Sequence, residues 1–318
     1  MKKFIAAILT FALFTFWGCS AQKNSREPSD HDSAIAFTDA LGREITVEKN
    51  PRRVAALIGS FADVWQLSGG TVCAAAEDAW TDLGLELGDA VNLGGAHSPS
   101  LEALFSADPD FVIASASTSS NVEMKDVLEN AGIPVAYFDI DCFEDYLSML
   151  NICTDITGRK DLYAQNGTNI GAQIEAIKDA FAHADLTEKE RTVLLLRASS
   201  TSVKAKNSKG TVLGEMLSDL GCINIADSDK TLLENLSVES VIRQEPYRIF
   251  VVTMGDDTEK AMDNLSRMME ENPAWGLLEA VKENRVHVMD RMLFNMKPNA
   301  RWAESYAKLS EILLEKNK

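Results

Sequence analysis

The side chains able to hold a charged ligand stand at the ends of short apolar runs. Arg197 closes the run 192–196, and Arg291, Phe294 and Lys297 follow the run that ends at Met289. Guanidinium and ammonium groups recognise carboxylates through charge-assisted hydrogen bonds, so these cations suit an anionic ligand. The alternative is ion pairing within the protein. Ser60 and Phe61 follow the run 54–58, Trp80 follows 72–76, and Ser117 follows 111–115. Phe61 and Trp80 can stack on a planar ligand or complete a core. His97 lies in the loop Gly94-Gly-Ala-His-Ser-Pro. It can serve as an axial haem ligand, with Met292 or Met296 opposite, or as a loop hydrogen-bonder.

Other chemistries lack their residues. The 4 histidines, His31, His97, His183 and His287, are nowhere three or four apart, so no helical metal pair forms and bare Zn²⁺ or Mn²⁺ is not expected. No G-x-S-x-G, H-E-x-x-H or P-loop occurs, and no G-x-G-x-x-G follows the first strand. No enzyme activity is expected; the rival readings of another class are a ligand-sensing or a hydrolytic extracellular α/β protein. Cys73, Cys142, Cys153 and Cys222 have neither zinc nor redox spacing, and both disulfides and free thiols stay open. A formal charge of −17 over 318 residues, with no Lys/Arg cluster, disfavours nucleic acid and anionic lipid.

The elements that must position these residues alternate. Apolar runs of strand length are followed by helical patterns on both sides of residues 161–184. In that stretch Ile170, Ile174, Ile177 and Phe181 recur on one helical face, with no proline. An unbroken helix there would be roughly 35 Å long at 1.5 Å per residue. The two flanking halves share a passage, residues 101–115 and 238–252, in which Glu102 matches Glu239, Asp108 matches Glu245 and Pro109 matches Pro246. Each copy predicts a short helix, stopped at the acid-Pro pair and followed by a buried strand. The expected architecture is α/β, with two Rossmann-like lobes of largely parallel sheets bridged by one long helix. Ligands then sit beyond the carboxyl ends of the strands, where the candidates above fall. Residues 198–209 read as a polar loop. The expected division is 34–157 for the first lobe, 158–185 for the bridge and 186–318 for the second lobe.

The N-terminus reads as an export signal. Lys2 and Lys3 precede an apolar run from Phe4 to Trp17, too short for a comfortable membrane span, and Gly18-Cys19 follows. This resembles a bacterial lipoprotein signal, with residues 1–18 removed and Cys19 lipidated. Residues 19–33 are polar and read as a flexible tether.

With that start, the two lobes, the bridge and the paired Pro-Ser-Leu-Glu and Leu-Ser-Val-Glu, the chain resembles one family. It is the substrate-binding lipoproteins of ABC importers for iron–siderophore, haem and cobalamin, the helical-backbone class. Thr211-Val-Leu-Gly-Glu-Met-Leu, Asn272-Pro-Ala-Trp275 and the passage from Phe294 to Trp302 carry the resemblance, with Gly42-Arg-Glu-Ile-Thr-Val47 and Pro51-Arg-Arg-Val54. The resemblance implies a monomer on the outer face of the cytoplasmic membrane. It implies an iron chelate as the transported ligand, with haem and then cobalamin as runners-up, and no intrinsic cofactor. It also implies a membrane permease, with a separate ATPase, that receives the ligand. Glu102 and Glu239 match the carboxylates that dock on permease arginines. As residues of first helical turns they also favour the helix dipole.

Overall fold

A computed structural model describes residues 33–255 and 257–315. The signal at 1–18, Cys19, the tether up to residue 32 and His31 lie outside the described residues. A hairpin opens the first lobe. Strands β1 (Ala34–Thr38) and β2 (Glu44–Glu48) pair antiparallel around Gly42, whose φ of +75° needs a residue without Cβ.

Five parallel strands follow: β3 (Val54–Ala56), β4 (Val72–Ala75), β5 (Val91–Asn92), β6 (Phe111–Ser115) and β7 (Val135–Phe138). Their order is β5-β4-β3-β6-β7. In the second lobe, β8 (Thr192–Ala198), β10 (Ile223–Asn224), β11 (Arg248–Thr253) and β12 (Val286–Val288) are parallel in the order β10-β8-β11-β12. β9 (Val203–Lys206) adds antiparallel to β8. The expectation of a polar loop over 198–209 is therefore corrected. Val203-Lys-Ala-Lys206 alternates with period two, and only a tight turn at residues 199–202 separates it from its partner, Ser199 N–H donating to Ser202 C=O at 2.8 Å.

The connection between lobes is helical from residue 160 to 182, but it is not one uniform α-helix. A single π turn, Ala164–Thr168, separates Lys160–Tyr163 from Asn169–Ala182. The cause is a polar anchor. Asn166 is 9% exposed, donates its amide to Leu67 C=O at 2.8 Å and accepts the Tyr146 hydroxyl on its own carbonyl at 2.8 Å. The wider turn brings Asn166 and Gly167 inward together. A Cβ on Gly167 would stand 2.9 Å from Leu147 Cδ2, so the close approach to the helix Phe143–Thr157 depends on glycine. Ile170, Ile174 and Phe181 are buried as their spacing predicts, and Ile177 packs partly buried beside them.

One core runs across both lobes. It joins Val54, Phe111 and Ile113 of the first sheet, through Phe143 and Tyr146, to Val193, Leu195 and Phe250 of the second. The closing helix Trp302–Leu314 packs along the bridge, with Trp302 fully buried edge-on to Phe143 at 6.1 Å. A bridge packed on two helices bends less than a loop hinge.

The doubled passage is also a structural repeat. Ser100 Oγ accepts from Ala103 N–H at 3.2 Å, and Ser237 Oγ accepts from Ser240 N–H at 3.3 Å, each capping its short helix. Asp108 and Glu245 then take φ of 46° and 44°, a left-handed conformation uncommon outside glycine, each just before its proline. β6 and β11 follow, each buried at every residue.

Candidate ligand-binding site

The second lobe supplies a set of cations at the carboxyl end of its sheet. Arg197 is the penultimate residue of β8 and lies in register with Val252 of β11 and Lys204 of β9. Lys206 lies two residues on from Lys204, on the same face. Arg197 Nε is buried without a hydrogen-bond partner among the described residues. Burial pulls the Arg197 guanidinium below its ordinary value, with Asp141 the acid that offsets this. Lys206 is lowered by burial first and then by repulsion from Arg197 and Lys204. An under-compensated, partly desolvated cluster of one sign is a site for the opposite sign.

The first lobe answers with acids. Asp141 lies just past β7, and its Oδ1 is 3.4 Å from Lys297 Nζ. Asp82 follows the short helix Asp78–Thr81, and its Oδ2 is 3.1 Å from Arg291 Nη1. Both pairs cross between lobes, with the acid on the first and the base on the second. Deeper in, Asn299 donates its amide to Ser60 C=O and to Asp63 Oδ2, each at 2.8 Å. A cavity of about 270 Å³ opens beside these contacts, lined by Asp63, Asp82, Met292, Lys297, Pro298 and Arg301 among others.

The candidates therefore separate into layers. Ser60 and Phe61 are 1% exposed and Phe294 is 3% exposed, so all three sit in the packed interior, Phe61 edge-on to Phe138. They support the site from behind. Trp80 is half-buried against Ala79 and Leu87. His97 and Ser117 are exposed on the rim of the first lobe. Ala96 C=O, next to His97, accepts from Ser120 Oγ at 3.3 Å and Asn121 Nδ2 at 3.2 Å, which ties that loop to the one carrying Ser117. Arg197 and Lys297 face Asp141, whereas Arg291 is engaged by Asp82. The sequence reading missed Asp82, Asp141, Lys204, Lys206 and Asn299. Only the two lysines carried a local signal, the strand alternation of β9.

Cys73, Cys142, Cys153 and Cys222 are free thiols. His287 stacks on Phe250 at 5.5 Å. Glu102 and Glu239 are both exposed on their short helices. Glu239 is held below its ordinary value by a backbone N–H first and then by the Ser237 hydroxyl, which donates to its Oε2 at 2.9 Å.

Asp63 gives this junction a pH dependence. Burial pushes its carboxyl above the ordinary value, and the Asn299 amide offsets this only in part. The folded state thus binds this proton more tightly than the unfolded chain. Stability from this group is fully present below the unfolded value and falls as pH rises through the raised folded one. Asp63→Asn keeps an acceptor for Asn299 and removes the buried charge. Its melting temperature should exceed the parent's by about 2–4 °C at pH 7, and the gain should vanish near about pH 3. A gain equal at both pH values would contradict this account.

Residues 54–293 match the model of a family described as periplasmic binding protein. The chain belongs to that family. Periplasmic binding proteins carry substrates for importers rather than transform them. This one is 26% identical to the Fe(3+)-citrate-binding protein YfmC of Bacillus subtilis (strain 168), over 96% of this chain and 94% of that protein. It is 22% identical to YhfQ of the same strain, a putative ABC transporter substrate-binding lipoprotein, over 93% of each. Among solved structures, it is similar to Staphylococcus aureus SirA complexed with staphyloferrin B, with a TM-score of 0.66 at 21% identity, covering 89% of this chain and 100% of that one. S. aureus IsdE complexed with heme superposes with a TM-score of 0.69 at 15% identity, covering 83% and 99%. These likenesses show the fold: two lobes of largely parallel sheet joined by a helix.

Proposed function

We propose that this periplasmic binding protein captures an anionic ferric chelate between its lobes and delivers it to a membrane permease served by a separate ATPase. The observation that carries the reading is Arg197, buried at Nε without a partner among the described residues, with Lys206 and Lys297 nearby. A ligand carboxylate would supply what the fold leaves out. YfmC and SirA, named for ferric citrate and staphyloferrin B, support an iron chelate as the cargo. Haem is the second reading, favoured by the exposed His97 on the rim and by the likeness to IsdE. Export as a lipoprotein through Cys19, action as a monomer, and docking through Glu102 and Glu239 belong to the same proposal.

The test is tryptophan-fluorescence titration of residues 34–318 with ferric citrate, ferric catecholate and hydroxamate siderophores, haem and cobalamin. Sub-micromolar quenching by an anionic ferric chelate, with silence from cobalamin, is the expected result. Binding of haem alone, with a Soret shift lost in His97→Ala, would replace the chelate reading with the haem one.

A further inference from the structure

The cleft already contains an anion of its own. Asp141 belongs to the first lobe, yet its carboxylate reaches the second. It is 3.4 Å from Lys297 Nζ, and it is the acid whose charge acts on Arg197. The second lobe also approaches it at Gly210, where a Cβ would stand 3.8 Å from Asp141 Oδ2, an ordinary contact distance. Its backbone is pinned. The N–H groups of Asp141 and Cys142 both donate to Asp145 Oδ2, at 3.0 and 3.1 Å, at the start of the helix Phe143–Thr157. The cap holds the Asp141 backbone beside the cations, so the carboxylate leaves them only by turning about its own side-chain bonds and stays close when displaced.

We infer that Asp141 is a built-in counter-anion that a ligand carboxylate must displace, and that it sets the charge a ligand needs in order to bind. The inference rests on the anionic-ligand reading above. A monoanion entering the cleft trades places with Asp141 on Lys297. It gains one ion pair, loses another, and is repelled by the acid it has displaced. A chelate with several carboxylates engages Lys297, Arg197 and Lys206 together and more than offsets that repulsion. Asp141 thus discriminates by ligand charge without touching the ligand through an attractive contact, a repulsive element of the kind that specific sites use. It is a specificity-determining residue, distinct from the cations that bind.

The experiment compares the parent with Asp141→Asn, which keeps the side-chain shape. Each is titrated with ferric citrate and with a neutral ferric trihydroxamate, and each is melted. The variant should bind ferric citrate about tenfold more tightly, leave the neutral chelate's affinity unchanged and melt within a few degrees of the parent. Unchanged or weaker ferric citrate binding, in a parent that does bind it, would overturn the counter-anion role and leave the anionic-ligand reading standing. Equal tightening for the neutral chelate would also overturn it, because the effect would then come from looser lobes rather than from charge. Silence of both proteins toward ferric citrate would remove the anionic-ligand reading and the role of Asp141 with it.

Discussion

Arg197→Met should bind ferric citrate at least about thirtyfold more weakly than the parent while melting at an equal or higher temperature. The two halves of that result have one cause. Among the described residues Arg197 Nε is buried without a hydrogen-bond partner, and burial pulls the guanidinium below its ordinary value. Holding a cation there without a full set of partners costs folding free energy, and replacement of such a group by an apolar side chain of similar volume is often neutral or stabilising. In the proposed complex the same group meets a carboxylate in a desolvated cleft. Removing one partner of such a pair costs roughly 2–5 kcal/mol, and each 1.4 kcal/mol is about tenfold in affinity. Fluorescence titration and a thermal melt read both halves. A variant that melts lower and binds normally would place Arg197 among structural residues.

The second large effect falls on transport rather than binding. In cells that depend on this chain, Glu102→Gln combined with Glu239→Gln should abolish uptake of radiolabelled ferric citrate, while the purified double variant keeps the parent's affinity. Both glutamates are exposed, each on the second residue of a helix capped by Ser100 or Ser237. The two helices are repeats of one another, down to the left-handed Asp108 and Glu245. The bridge fixes the spacing between them, which suits a two-point electrostatic fit to a permease carrying two basic sites. Loss of these exposed first-turn charges should cost the fold little. Normal uptake by the double variant, with the protein present at parental level, would end the docking assignment.

What could be read from the chain before its structure depended on range. Period and punctuation are local, so the bridge face at Ile170, Ile174 and Phe181 and the doubled helix–Pro–strand passage were legible. The passage did not announce its backbone geometry: a residue before proline favours an extended conformation, yet Asp108 and Glu245 are both left-handed. The π turn was not legible. It exists because Asn166 finds Leu67 C=O and the Tyr146 hydroxyl, partners 99 and 20 residues away in sequence. Strand β9 was overlooked because four of the residues around its turn are Ser or Thr, which masked the alternation of Val203-Lys-Ala-Lys206. The cations were chosen from their places after strands. Their counter-charges, Asp82 and Asp141, come from the other lobe, and nothing local to Arg291 or Lys297 announces them. Ser60, Phe61 and Phe294 stand at strand or loop ends as a ligand-facing residue would, yet they are interior, because the lobes meet over them through Asn299 and the closing helix.

The most direct test of the account is a crystal structure of residues 34–318 grown with ferric citrate. The account expects the chelate between the lobes, a carboxylate within hydrogen-bond distance of the Arg197 guanidinium, and Lys297 turned from Asp141 toward the ligand. A chelate seated elsewhere, with Arg197 Nε still unpartnered and Lys297 still on Asp141, would contradict it.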